Sequence, residues 1–212
     1  SSSVTTIVLL LLYALGLVVA TFIEKYQGTA VAQSLVYHST LFIFLQALLV
    51  VNFLAVILRH RWLRKGRWGF MLTHFALILI LTGAFTTFLF SQDGTMHLRE
   101  GETSNQIFVQ PESGKTIHTL PFSVELKNFT LTRYPGSSSP SSFESEVVVH
   151  VDREKRAERI YMNNVLDVNG YRFFQASYDS DECGTVFTVS SDVAGRRITY
   201  AGYTLLLLGF VL

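Results

Sequence analysis

The sequence predicts a membrane protein of mixed class: α-helical spans joined to an all-β extracytoplasmic domain, either an antiparallel sandwich or an open barrel. Three observations predict it. The chain is 49% hydrophobic and only 16% charged, with a mean hydropathy of +0.34, which is too apolar for an ordinary soluble domain. The apolar residues are also unevenly spread: residues 4–23, 40–58 and 70–90 contain a single Lys, Arg, Asp, Glu or His among them, His74. Finally, residues 91–197 hold 15 of the 16 acids and 11 of the 17 Lys and Arg, so the polar part is one continuous block.

Each apolar run matches the roughly 20 residues that a helix rising about 1.5 Å per residue needs to cross a ~30 Å hydrocarbon core. The first could be mistaken for a signal peptide. It is long for one, lacks an A-x-A cleavage site, and two further runs follow it. Residues 1–90 therefore read as a membrane domain with three spans, at about 4–23, 40–58 and 70–90. Residues 198–212, "ITYAGYTLLLLGFVL", read as the start of a fourth span, so the chain is expected to be part of a longer protein. The connector at 59–69 carries five Arg or Lys in "RHRWLRKGRW" and no acid, whereas residues 24–39 carry one Lys and one Glu. By the positive-inside rule the 59–69 loop is cytoplasmic, and 24–39 and 91–197 lie outside. Trp62 and Trp68 flank that boundary as interfacial aromatics do. The charge run reads as a topology signal.

In the outer segment the period is two. "PFSVELKNFTLTRY" alternates over Phe122, Val124 and Leu126 and again over Phe129 and Leu131, and "SFESEVVVHVD" puts Val147, Val149 and Val151 on one face. Asn169-Gly170 is a hairpin signal between two apolar runs, "GTVFTVSSD" supplies another strand, and "YPGSSSPSS" (134–142) reads as a flexible loop. There is no internal repeat in this reading.

Few residues carry chemistry. His74 is titratable and sits just inside the third span, on the face of Ile78, Leu81 and Phe85. It either bonds a neighbouring helix, for example near Asn52 or Gln46, or it ligates a metal or haem iron, since ionisable groups within membranes are usually functional. Gly69, Thr73, Gly83 and Ala84 offer small positions for close helix contact. Asn52 and Gln46 read as helix–helix hydrogen-bonding residues, Glu24 as a structural carboxylate and His38 as an interfacial residue. His60 belongs to the basic loop, and His97, His118 and His150 read as surface histidines with no metal-site pairing. Cys183 is the single cysteine, which excludes an internal disulfide framework, and it reads as a chemically silent thiol. No Ser-His-Asp set, phosphate loop, H-E-x-x-H or C-x-x-C-H is present, and a net charge of +1 gives no argument for nucleic acid.

"ATFIEKYQGTAVA", "VNFLAVILRHRWLRKGRWGFMLTHFALILILTGAFTT", "DGTMHLREGET", "FESEVVVHVD" and "MNNVLDVNGYRFFQASYDSDECGTVFTVSSD", in that order, resemble the ResB/CcsB family of cytochrome c biogenesis proteins over nearly the whole chain. The family pattern has a proline where Val165 stands and another near Val193, departures that touch turns rather than chemistry. The resemblance implies a component of the system II cytochrome c synthetase, in the cytoplasmic (inner) membrane of a bacterium with residues 91–197 periplasmic. It would take haem b as cargo from the cytoplasmic side and pass it outward for thioether attachment to apocytochrome c. It implies a CcsA-type partner, separate or fused, and matches His74 to a haem axial ligand whose second ligand comes from that partner. It implies half of a haem lyase rather than a lone enzyme, with no catalytic residue in this chain. The alternative is a membrane-anchored binding or scaffold module with no haem ligation of its own.

Overall fold

The computed structural model describes residues 3–60, 66–109 and 116–212 and divides into a helical unit (residues 1–90 and 194–212) and a β unit (residues 91–193). Of the basic connector, Arg61, Trp62, Arg64 and Lys65 lie outside the described residues.

The helical unit contains α1 (Ser3–Gln27), α2 (Thr29–Ala32) continuing into a π-helical turn (Gln33–Tyr37), α3 (Thr40–His60), α4 (Trp68–Phe90) and α5 (Val193–Val211). α1, α3 and α4 are long and apolar enough to cross a membrane, and the chain is a multi-pass membrane protein. Hydrocarbon supplies no hydrogen bonds, so only a structure that pairs its own backbone survives there, and the apolar runs become helices. Polar side chains within them find partners by the same logic. Thr73, Thr82, Thr86 and Thr87 return their hydroxyls to carbonyls one turn back on α4. Between α1 and α3, Thr6 donates to Asn52 Oδ1 at 2.8 Å and Gln46 Nε2 to the Tyr13 hydroxyl at 3.4 Å. The antiparallel pair is tightened where Gly16 lies under the Phe42 ring; a Cβ there would meet it at 2.9 Å.

α4 and α5 come closer still. Gly69, Ala76 and Gly83 recur every seven residues on α4, and Gly195, Gly202 and Gly209 every seven on α5. A Cβ at Gly83 would sit 2.9 Å from the Thr199 nitrogen and 3.1 Å from the Gly195 carbonyl. One at Gly202 would sit 3.1 Å from the Ala76 carbonyl, and one at Gly209 2.9 Å from the Thr73 nitrogen. Backbone therefore packs on backbone, the arrangement small residues permit where lipid gives apolar side chains no reason to associate.

The β unit is one antiparallel sheet of eight strands: β1 (Gln92–Arg99), β2 (Thr103–Val109), β3 (Thr116–Arg133), β4 (Pro140–Val151), β5 (Glu154–Tyr161), β6 (Leu166–Val168), β7 (Tyr171–Tyr178) and β8 (Gly184–Ser191), in the order β5-β4-β3-β2-β1-β8-β7-β6. It curls until its edge strand β5 meets β6 and β7, giving the open barrel of the two forms expected. Inside lie Met96, Leu98, Ile107, Phe122, Val124, Leu126, Val147, Val149, Ile160, Phe173, Phe187 and Val189, all buried. Phe173 packs on Phe122 and Phe187 with ring centroids 6.0 and 6.2 Å apart.

The change of phase along β3 has a local cause. Phe122, Val124 and Leu126 are buried on even positions and Phe129 on an odd one, because the register with β4 slips between Leu126 and Asn128. The extra residue of this bulge shifts the phase so that Phe129 is buried too, stacked on Tyr178. Asn169 and Gly170 have φ of 50° and 86°, as a tight hairpin of this type requires. The 134–142 segment is shorter as a loop than its composition predicts. Tyr134 N donates to the Ser139 carbonyl at 3.2 Å, and Pro140 already pairs with Arg133; proline is tolerated as the first residue of a strand.

The seven-residue glycine register makes a direct prediction. Gly83→Leu should force α4 and α5 apart and lower the melting temperature of the detergent-solubilised protein by several degrees, whereas Ala84→Leu, one position round the helix on an exposed site, should be tolerated. Equal behaviour of the two would sink the close-contact account.

Candidate functional site

His74 lies in the second turn of α4, half-buried. Its Nδ1 is 2.9 Å from the Phe70 carbonyl one turn earlier. A carbonyl can only accept, so Nδ1 carries the proton, and in the neutral ring the lone pair resides on Nε2. This is how metal-ligating imidazoles are commonly oriented: a hydrogen bond at one nitrogen fixes the tautomer and direction of the other. The Phe53 ring of α3 meets the imidazole edge-on, with ring centroids 5.7 Å apart. The residues expected as alternative partners are engaged by α1, Asn52 by Thr6 and Gln46 by Tyr13.

His74 also lines a groove of about 570 Å³ between the start of α4 and the end of α5, together with Arg67, Phe70, Thr73, Gly209 and Phe210. That volume falls within the roughly 300–1,000 Å³ of pockets that bury small organic ligands. The site thus joins an oriented imidazole, aromatic walls and one cation. Of these side chains the imidazole is the one suited to ligate a metal and the guanidinium the one suited to an anion.

The other histidines lie elsewhere, each with its own partner. His38 packs on Phe88 with ring centroids 4.9 Å apart. In the β unit His118 Nε2 is 3.2 Å from the Tyr171 hydroxyl, His150 Nε2 is 3.1 Å from Glu125, and His97 Nε2 is 3.0 Å from both Asp179 oxygens. Among the described residues no three His, Cys, Asp or Glu come together as a metal site. Glu24 accepts from Thr29 at 2.8 Å, a structural contact. Cys183 is exposed in the β7–β8 turn, where its backbone nitrogen donates to Asp181 at 3.2 Å.

Arg99 binds that turn to β1, donating to Asp179 at 2.9 Å and Asp181 at 2.5 Å. The Arg99 hydrogen bond holds the Asp181 carboxyl below its ordinary range. Lys127 first, then His150, do the same for Glu125.

Two contributors to the groove have signals that residue-by-residue reading passes over. Arg67 is indistinguishable from its basic neighbours until α4 is seen to start beside it. The glycines of α5 repeat every seven residues, a spacing visible only when α5 is aligned with α4.

The ResB-like family profile matches residues 64–211. The chain belongs to the ResB-like family. "Protein NrfI" of Wolinella succinogenes is 32% identical over 311 aligned positions that take in 100% of this chain and 34% of that protein, so the chain spans about a third of the length of the curated relative it matches. The solved structure of "Cytochrome c Heme Lyase CcmF" overlays 100% of this chain and 34% of that one at a TM-score of 0.43 and 14% identity, a likeness too slight to carry an argument.

The carboxylates generate a pH prediction. Asp181 and Glu125 are depressed in the folded domain, so their contribution to stability is complete above the ordinary carboxylate range and fades as pH falls through the lowered native values. Thermal unfolding of the β unit in the whole protein should be nearly flat above about pH 5 and fall below about pH 4. Asp181→Asn should reduce that acid slope, and an unchanged slope would remove the Arg99 pair from the account.

Proposed function

We propose that this chain is the ResB-type membrane component of a cytochrome c synthetase and receives haem b as cargo at the groove beside His74. The observation that carries the reading is the Nδ1–Phe70 hydrogen bond, which fixes the tautomer and direction of an imidazole lining a groove of suitable size. Membership of the ResB-like family supports cytochrome c biogenesis as the setting.

His74 gives one axial bond; the second comes from a CcsA-type partner, separate or fused. A pair of neutral imidazoles holds haem iron without consuming the haem, and onward transfer to the outer face proceeds by exchange of those ligands. The thioether bonds to the cysteine thiols of apocytochrome c are then made at a site shared with the partner. The five Arg and Lys of residues 59–68 support, by the positive-inside rule, a cytoplasmic α3–α4 connection in a bacterial inner membrane and a periplasmic β unit.

Absorption spectra test the haem reading. The protein purified in detergent with its partner should show a bis-histidine Soret and α-band pattern that weakens about tenfold in His74→Ala and returns with added imidazole. An unchanged spectrum would return His74 to a packing role against Phe53 and leave the chain as a scaffold or recruiting module.

Cys183 tests the orientation. As the single, exposed cysteine of the chain, it should react with a membrane-impermeant maleimide in cells with a permeabilised outer membrane and be silent in Cys183→Ser. Labelling only after the inner membrane is lysed would invert the topology.

A further inference from the structure

The helical unit is short of negative charge. Residues 1–90 and 194–212 contain one carboxylate side chain, Glu24, against Lys25, Arg59, Arg61, Arg64, Lys65, Arg67, Arg196 and Arg197. Glu24 lies near the end of α1, engaged with Thr29. The antiparallel pairing of α1 with α3 puts that end opposite the one where α3 finishes and α4 starts. No Asp or Glu occurs in α3, in α4 or in the segment that joins them.

Among those cations Arg67 has a distinct place. It is the residue immediately before α4, with its carbonyl 3.4 Å from the Met71 nitrogen, and its side chain is exposed along the groove that His74 lines. Arg67, Phe70 and His74 follow one another at i, i+3 and i+7, a single stripe on a helix, with the two polar residues about 10 Å apart along the axis. Phe70 lines the apolar interval between them. The exposed Trp68 beside Arg67 marks the level at which an amphipathic side chain meets water, so the guanidinium is positioned at the mouth and the imidazole within. A planar, always-charged fork at such a mouth is the side chain suited to an ionised carboxylate.

We propose that Arg67 is the carboxylate-binding residue of this groove. It seats a metal-bearing macrocycle with its metal at His74 and an ionised carboxylate arm at the mouth. This rests on the haem reading above and deepens it. Arg67 sets which edge of the cargo enters last and discriminates a dicarboxylate porphyrin from an uncharged one. In this role Arg67 is a binding residue as well as part of the topology signal, and Arg59, on another helix and off the groove wall, is not.

The test compares iron protoporphyrin IX with its dimethyl ester, titrated by Soret absorbance into the detergent-purified protein and its partner after removal of bound haem. Wild type should favour the free acid by about tenfold, the worth of one charge-assisted hydrogen-bonded pair. Arg67→Gln should bind acid and ester alike, and Arg67→Lys should keep part of the preference. Equal binding of the two by wild type would overturn the proposal without any variant. So would full retention of the preference in Arg67→Gln; if that variant instead loses a dependence on anionic lipid, the guanidinium serves a phosphate headgroup. Maleimide labelling of Cys183 shows whether Arg67→Gln inserts normally. His74→Ala separates the two levels. Spectra altered by His74→Ala with Arg67→Gln unaffected sink only the Arg67 assignment, whereas spectra unaltered by His74→Ala sink the haem reading and this inference with it.

Discussion

The close approach of α4 and α5 is the contact on which the helical unit depends. Two apolar helices in lipid gain little by exchanging hydrocarbon for hydrocarbon, so their association needs dispersion contacts made dense by backbone proximity. Gly69, Ala76 and Gly83 against Gly195, Gly202 and Gly209 provide that proximity at three successive levels. Beside the Gly69–Gly209 level, Phe70, Phe210 and Leu212 line the groove that His74 shares. The small residues hold the two helices together at each of these levels.

Polarity inside the unit is handled with similar economy. α1 and α3 pair their amide and hydroxyl groups with each other, and α4 returns its threonine hydroxyls to its own backbone. In hydrocarbon each such group left unpaired would cost on the order of several kcal/mol. His74 follows the same rule with one nitrogen, to Phe70. An imidazole has two, and settling one in this way directs the other.

Much of this was legible from residues alone, for physical reasons that differ by region. The spans stood out because a helix crossing hydrocarbon needs an unbroken apolar run, and only His74 interrupts them. The strands stood out because alternation exposes a half-buried face, and even the phase change at Leu126–Phe129 was present in the pattern, its cause becoming clear once β3 was paired with β4. His74 was visible as a polar residue out of place. Arg67 was not, because a cation among cations has no distinguishing local pattern; its role depends on where α4 begins. Of the glycine seam, Gly69 and Gly83 were legible as small positions, but their partners on α5 were not, since a spacing of seven on one helix means little until a second helix presents the same spacing. The curl of the sheet that brings β5 to β6 and β7 is a global property that no single strand encodes.

The pairing of β1 with β8 runs the full length of both strands, from Gln92 opposite Ser191 to Arg99 opposite Gly184. These are the strands that follow α4 and precede α5. In topological terms the β unit is an insertion into a helical hairpin, and it enters and leaves through neighbouring strands. Closing so long a loop would otherwise carry an entropic cost that rises with its length. Here the inserted domain closes the loop by its own folding, so the helical hairpin bears little of that cost. Insertions that bring their ends together in this way are the kind that can be exchanged, enlarged or pared back while the host fold is preserved. The same junction that carries the chain out of the helices thus lets the inserted domain change in size and surface without disturbing the glycine seam.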